Sequence, residues 1–501
     1  MIYTGNDIIN IIGNTLQSPD SYLSEVRGDA EQAIDFYNNV QRLHMDAEYK
    51  RTFANWDDNR DLIPLRILPL TQKIIDTLSL LYKKSPTRSI YVGDKADQKL
   101  TDMYNKLCDE GKKGIRLRTV DRYTRLCNTT LLKVHWDNGL QYRIFTPGTL
   151  GVVAEALDPQ KAAACVYEAT IPDNFGTPDD EELITYIYWD EDNHYTVDDR
   201  GELINIQTDP ESVPTTVNPY KVLPFATFRN NDHIGNEFWA PIDQTWVNAN
   251  TAVNMAMTDL FHLLKEQGWA QPVFEGNISG SDNLTRDPTR WMVTKGAKVY
   301  FANPDAPIDQ IVECLTWFLR TFLFLKDLGW NTLQGQSHLA SGLSILASRL
   351  DLLEDRQDRL DMFTQSEKDL FEIEKAIINY HAAEKGLPQI PDDAELRIDW
   401  PDIDSPIDRD EEIKYDEHRI KYNLMSLAQI LREKNPDIDS EDEAVEIIRK
   451  NKEINDSLKN KFVLGKAPVQ KDSEAETETD EGDNGSPATD QENTGEEPKQ
   501  V

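Results

Sequence analysis

Two acidic clusters are the first candidates for chemistry. Asp399, Asp402, Asp404 and Asp408 crowd one short stretch, and Asp190, Glu191, Asp192 and His194 crowd another. Hard divalent cations take oxygen ligands of this kind, and a metal held by carboxylates could cleave phosphodiesters. Pro401 and Pro406 break the register of the first cluster, and neither cluster has a calcium-loop glycine. Both read first as solvated acidic loops, with a metal site as the alternative. Ser337 and His338 stand side by side between Gly335 and Gly342, but no third group completes a triad. There is no G-x-x-x-x-G-K-[ST] phosphate loop, since Gly465-Lys466 lacks the earlier glycine, and no H-E-x-x-H or G-x-S-x-G occurs. Cys108, Cys127, Cys165 and Cys314 form no C-x-x-C pair and have no histidine at zinc spacing. Such scattered cysteines suit free thiols in a reducing compartment. These absences predict a chain that is not an enzyme and needs no cofactor or metal; a metal-dependent nuclease built on Asp402 and Asp404 is the catalytic alternative.

Charge points elsewhere. The 501 residues carry a formal net charge of -36, which opposes tight binding to phosphate but suits a surface that DNA must pass without sticking. It equally suits solubility. Against that background Arg286, Arg290, Lys295 and Lys298 make a local basic cluster: a docking face for an acidic partner, a contact for DNA phosphate, or plain soluble surface. Lys265, Arg320 and Lys326 fall on two long apolar segments, where they line a channel or are ordinary ion-paired groups. The aromatic residues of those segments, Trp246, Phe261, Trp317, Phe318, Phe322 and Phe324, read as packing.

The elements that must position these residues follow from periodicity. A hydrophobic content of 39% supports a large core and two to four domains. Residues 1–84 read as helical, with Ser85-Pro86 as a stop. Ser89–Val92 is a short strand, and Gln98–Arg125 is helical with breaks at Gly111 and Gly114. From Thr129 to Phe228 the pattern alternates, with turns at Asp137-Asn138-Gly139 and Asp199-Arg200-Gly201, predicting antiparallel strands. Pro241–Gln267 predicts one helix of about 40 Å, with Pro241 in its first turn. Strand and turn signals return over 270–307, and a second helix follows over Ile308–Trp330. Its four charges make a membrane span costly, so it is expected to be buried against protein on most faces. The segment Asn331–Ser341 is a polar connection. A third helix over Gly342–His381 has a leucine stripe and an opposite charged face that includes Arg356 and Arg359. Leu396–Trp400 is a strand, and Asp410–Lys434 and Asp439–Asn455 are two amphipathic helices. After Lys466 the composition is that of a disordered acidic tail. No signal peptide is read at the N-terminus.

The order of these elements resembles the portal proteins of tailed bacteriophages. Four segments carry the resemblance: NPYKVLPFATFRNN (218–231), APIDQTWVNANTAVNMAMTDL (240–260), SGLSILASRLDLLEDR (341–356) and RIDWPDIDSPID (397–408). It covers about Leu62 to Asn455, and no single residue is diagnostic. It implies an α+β, mainly α fold: a wing over 1–238, a stem of two helices over 239–269 and 307–331, a β clip over 270–306, and a tunnel loop over 332–341. The long wing helix and return strand then occupy 342–409, a helical crown 410–465, and the acidic tail 466–501. It further implies a homo-oligomeric ring, usually of twelve subunits, at one capsid vertex of the virion, built in the host cytoplasm. The implied partners are the terminase packaging ATPase, a head–tail connector, the major capsid or scaffold protein, and double-stranded DNA, with no membrane. Gln334, Gly335, Gln336, Ser337 and His338 would form the constriction, and Arg286, Arg290, Lys295 and Lys298 the clip docking face. Another virion ring or a scaffold protein is the structural alternative.

Overall fold

The computed structural model describes residues 4–173, 181–204, 216–268, 271–275, 298–302, 307–326, 328, 342–401, 409–422, 424–435, 438 and 440–463. The chain divides into two compact units, Met1–Ile407 and Asp408–Val501, and the fold is mixed α+β.

In the first unit five helices lead: α1 (Gly5–Asn14), α2 (Ser21–Tyr37), α3 (Arg42–Thr52), α4 (Trp56–Asn59) and α5 (Leu70–Leu78). A capping box fixes the start of α1, where the Asp7 amide donates to Thr4 Oγ1 and the Thr4 amide donates to Asp7 Oδ2 at 2.8 Å. Its apolar residues Ile8 and Ile12 pack on Val166, Tyr188, Tyr195 and Val197. Those residues belong to a four-stranded antiparallel sheet of β5 (Gly151–Ala154), β6 (Ala162–Asp173), β7 (Glu181–Asp190) and β8 (His194–Asp198). The helix lies so close that a Cβ on Gly5 would stand 1.7 Å from the Gly201 carbonyl oxygen, so glycine is required there.

The main core lies under three other groups of elements. Strand β1 (Thr87–Val92) pairs with the two-residue β2 (Lys95–Ala96) and with β12 (Ala394–Asp399), Ile90 standing opposite Leu396. Helices α6 (Gln98–Glu110) and α7 (Lys113–Cys127) follow. Strand β3 (Thr129–Trp136) pairs with β4 (Leu140–Phe145) across the predicted hairpin, where Asn138 at φ 53° and Gly139 at φ 155° supply the turn. It pairs on its other side with β9 (Phe225–Arg229).

Helix α8 (Thr245–Gly268) then runs to the antiparallel pair β10 (Gln271–Glu275) and β11 (Lys298–Ala302), and α9 (Ile308–Phe324) runs back. Helix α10 (Gly342–Lys385) has 44 residues and ends where Gly386 adopts φ 65°. It packs against β9, β3 and β12.

Several expectations are corrected. Helix α8 begins at Thr245 rather than at Pro241, because the Pro241 carbonyl accepts from the Asn128 side chain and Asp243 accepts from the Thr245 amide at 3.0 Å. Helix α9 stops at Phe324, since Lys326 turns aside to Asp243. Among the described residues of α9 only Phe322 and Leu323 are buried, while Trp317 is 65% and Phe324 78% exposed, so the described residues of the chain do not supply the cover expected for this helix. The charged face of α10 is not all solvated either, for Arg356, Arg359, Glu367 and Glu374 are buried among partners.

The second unit contains α11 (Arg409–Lys421), α12 (Leu427–Lys434) and α13 (Glu441–Val463), with α12 packed on α13. The expected single helix over 410–434 is therefore two. Ser426 and Gln429 form a capping box that starts a new helix. Ser440 caps α13 through the Glu443 amide at 3.2 Å.

Candidate functional site

The helix pair α8–α9 and the long helix α10 are the elements to which the sequence assigns a role. Three side chains of α8, spaced by four, point to the segment before α5. Asn250 Oδ1 accepts from the Thr71 amide at 3.0 Å, and its Nδ2 donates to the Leu68 carbonyl at 3.0 Å. Asn254 Oδ1 accepts from the Leu68 amide at 2.9 Å, and its Nδ2 donates to Gln41 at 2.7 Å. Thr258 Oγ1 accepts from the Arg66 amide at 2.9 Å. This ladder satisfies backbone groups of the irregular stretch before α5 and of the first turn of α5, whose amides have no partner within the helix. The recurring asparagines of α8 were visible in the sequence, but their recipients were not.

The adjoining face of α8, one turn earlier, meets α9. Trp246 and Phe322 pack edge-on with centroids 5.8 Å apart. Lys326 ion-pairs with Asp243, and its ammonium lies 4.3 Å from the Trp246 ring centroid. Burial would raise the Asp243 carboxyl, yet Lys326 and Thr245 hold it below its ordinary value. Lys326 is thus half-buried in the seam that ties α9 to the foot of α8. Lys265 is exposed near the end of α8, beside Arg66 and His262, and Arg320 is exposed on α9. Lys298 opens β11 opposite Glu275.

Gln334, Gly335, Gln336, Ser337, His338, Arg286, Arg290 and Lys295 lie outside the described residues, as do Asp402, Asp404 and Asp408. Asp399 closes β12 opposite Thr87. In the other acidic cluster Asp190 Oδ1 accepts from the amides of Asp192 and Asn193, shaping the β7–β8 turn, and His194 stacks on Trp189 at 3.9 Å. Among the described residues no three His, Cys, Asp or Glu side chains are grouped to hold a metal ion. Nor, among them, is any helix long and apolar enough to cross a membrane.

A line of buried charges on α10, which sequence reasoning missed, fastens it to the rest of the unit. Asp355 accepts from Arg125 at 2.9 Å, and Arg359 ion-pairs with Asp121 at 2.7 Å. Glu367 takes both Arg88 Nε at 2.6 Å and Nη2 at 2.8 Å, and accepts from Tyr82 at 2.9 Å. Glu374 accepts from Tyr104 and Tyr142, each at 2.6 Å, and from Lys113 at 2.9 Å. Burial, the largest single influence, pushes the Glu367 carboxyl up, but the charge and hydrogen bonds of Arg88, the Lys113 charge and the Tyr82 hydroxyl together outweigh it, and the group sits below its ordinary value. The spacing of these acids and bases along α10 was legible; their burial was not, because nothing local marks Arg88, Lys113 or Asp121 as partners.

No protein-family description matches the sequence, and no curated protein matches it. Among solved structures, a chain in the virion of a native gene transfer agent particle is similar at 10% identity and TM-score 0.37, over 72% of this chain and 88% of that one. A chain in the neck of an empty gene transfer agent particle, computed with C6 symmetry, is similar at 9% identity and TM-score 0.36, with the same coverage. At these scores neither likeness assigns a role to this chain.

Proposed function

We propose that this chain is a portal subunit of a tailed bacteriophage: one member of a ring that forms the DNA channel at a capsid vertex and joins head to tail, without catalysis of its own. The observation that carries the reading is the run of α8, the β10–β11 pair, antiparallel α9 and the 44-residue α10, on the segments where the sequence resembles that family. Two antiparallel helices sharing an aromatic seam make a stiff strut, and repetition of such struts about an axis makes a tube wall. The charge of -36 suits a conduit that DNA crosses without being trapped. The packaging ATPase and the head–tail connector would dock at the insert between β10 and β11, and the loop at Gln334–His338 would narrow the channel.

Negative-stain electron microscopy of the purified chain tests this. Discrete rings with a central pore are expected. Monomers or filaments at micromolar concentration would rule the reading out.

A further inference from the structure

The α8–α9 pair leaves two stripes facing away from its own seam. On α9 the residues Glu313, Trp317, Arg320 and Phe324 recur at i, i+4, i+7 and i+11, all exposed. At 100° per residue they lie about 175° round the helix from Phe322, which packs on Trp246. On α8 the residues Thr251, Met255, Thr258 and His262 recur with the same spacing, about 150° round from Trp246. They floor two clefts. One, of about 320 Å³, is walled by His44, Glu48 and Arg51; the other, of about 420 Å³, by Arg66, Phe261 and Lys265. The strut therefore has an aromatic ridge on one side and a furrow on the other, the two unlike faces that a closed cyclic ring requires.

Height along the strut sets which residues meet. Rotation about a ring axis carries no translation, so in struts that run along the axis residues of equal height face each other. Trp246 stands level with Phe322 in the antiparallel pair. Counting from there, Trp317 is level with Thr251, Glu313 with Met255, and Asp309 with Asp259. Glu313 then falls at the cleft of Arg51, which also pairs with Glu48 of its own chain, Asp309 falls between Arg66 and the like-charged Asp259, and Arg320 falls toward Glu48. Arg51 and Arg66 are exposed, the latter with its guanidinium 4.8 Å from the Phe261 ring centroid.

We propose that the Glu313–Phe324 ridge of α9 docks into the furrow of α8 on a second copy of the same chain, with Trp317 entering the cleft at Thr251 and Met255. This rests on the ring reading above and names the contact that closes the ring.

Mass photometry of charge-swapped chains tests the pairing. Asp309→Lys with Glu313→Lys should abolish rings, as should Arg51→Glu with Arg66→Glu, and the two sets combined in one chain should restore them. Trp317→Asp should raise the concentration needed for assembly at least about tenfold. Restoration also shows that the swapped chains fold. Rings unchanged by either swap, or none recovered in the combination, would overturn the pairing and leave the portal reading standing. A wild-type chain that forms no ring at all would remove both.

Discussion

At the scale of single residues, three α8 side chains hold the irregular backbone before α5 and the first turn of that helix. Asn250 is fully buried and serves Thr71 and Leu68 together. Replacing it with alanine strands a buried amide and a carbonyl, each costing about 1–3 kcal/mol. Asn250→Asp keeps the acceptor for the Thr71 amide but loses the donor to Leu68, so it is also destabilising. Asn248→Ala, two residues away on an exposed face of the helix, should change stability by less than about 0.5 kcal/mol. Urea denaturation of the three variants checks the order. The thiols sort in the same way. Burial pushes Cys108 and Cys127 up to about 12 and raises Cys165 as well, while Cys314 is exposed on α9. One thiol per chain should react promptly with a thiol reagent, and the other three only after unfolding. In the sequence the four cysteines were correctly expected to be free, but nothing there singled out Cys314, because exposure is a property of packing.

At the scale of elements, α10 is held by charge as much as by leucine. Removing one member of a buried pair leaves its partner uncompensated, at a cost of about 3–5 kcal/mol. Glu374→Leu strands Lys113 and two tyrosine hydroxyls, so it should be among the most destabilising single changes in the chain. Adding Lys113→Met should recover part of that loss in a denaturation series. The Arg88–Glu367 link has a defined pH dependence. The folded carboxyl lies below its ordinary value, so its contribution is complete above the unfolded value of about 4.5 and disappears as pH falls through the lower, folded one. Melting temperature should therefore drop on acidification below about pH 4.5, and less steeply in Glu367→Gln, which starts lower. The existence and type of the elements were largely legible, because the antiparallel hairpin at Asn138-Gly139 and the helical periods are local signals. Where an element starts or stops was less so. Helix α8 is delayed by Asn128 and α9 is cut short by Asp243, both distant in sequence. The cover expected for α9 is not supplied by the described residues of its own chain, because an apolar period reports that a face will be covered, not what covers it.

At the scale of the whole molecule, charge decides how copies come together. Each chain brings a net charge of -36, and a ring brings many such chains within a few tens of ångströms. The ridge-and-furrow contact offers only a few exposed ion pairs, each worth about 0.2–1 kcal/mol and weakened by salt. Repulsion between whole subunits acts over the Debye length, about 30 Å at 0.01 M salt and about 10 Å at 0.1 M, so salt removes it first. The apolar part of the contact, with Trp317 and Phe324 at its centre, is strengthened rather than weakened by added salt of the sulfate type. The long-range term is the larger, and rings should therefore be favoured as sodium chloride rises from about 0.01 to 0.15 M, with sodium sulfate more effective at equal ionic strength. Mass photometry across both salt series measures this. The opposite trend, rings that fall apart as salt is added, would mean that local ion pairs outweigh subunit repulsion and that Asp309 and Glu313, rather than Trp317, hold the copies together.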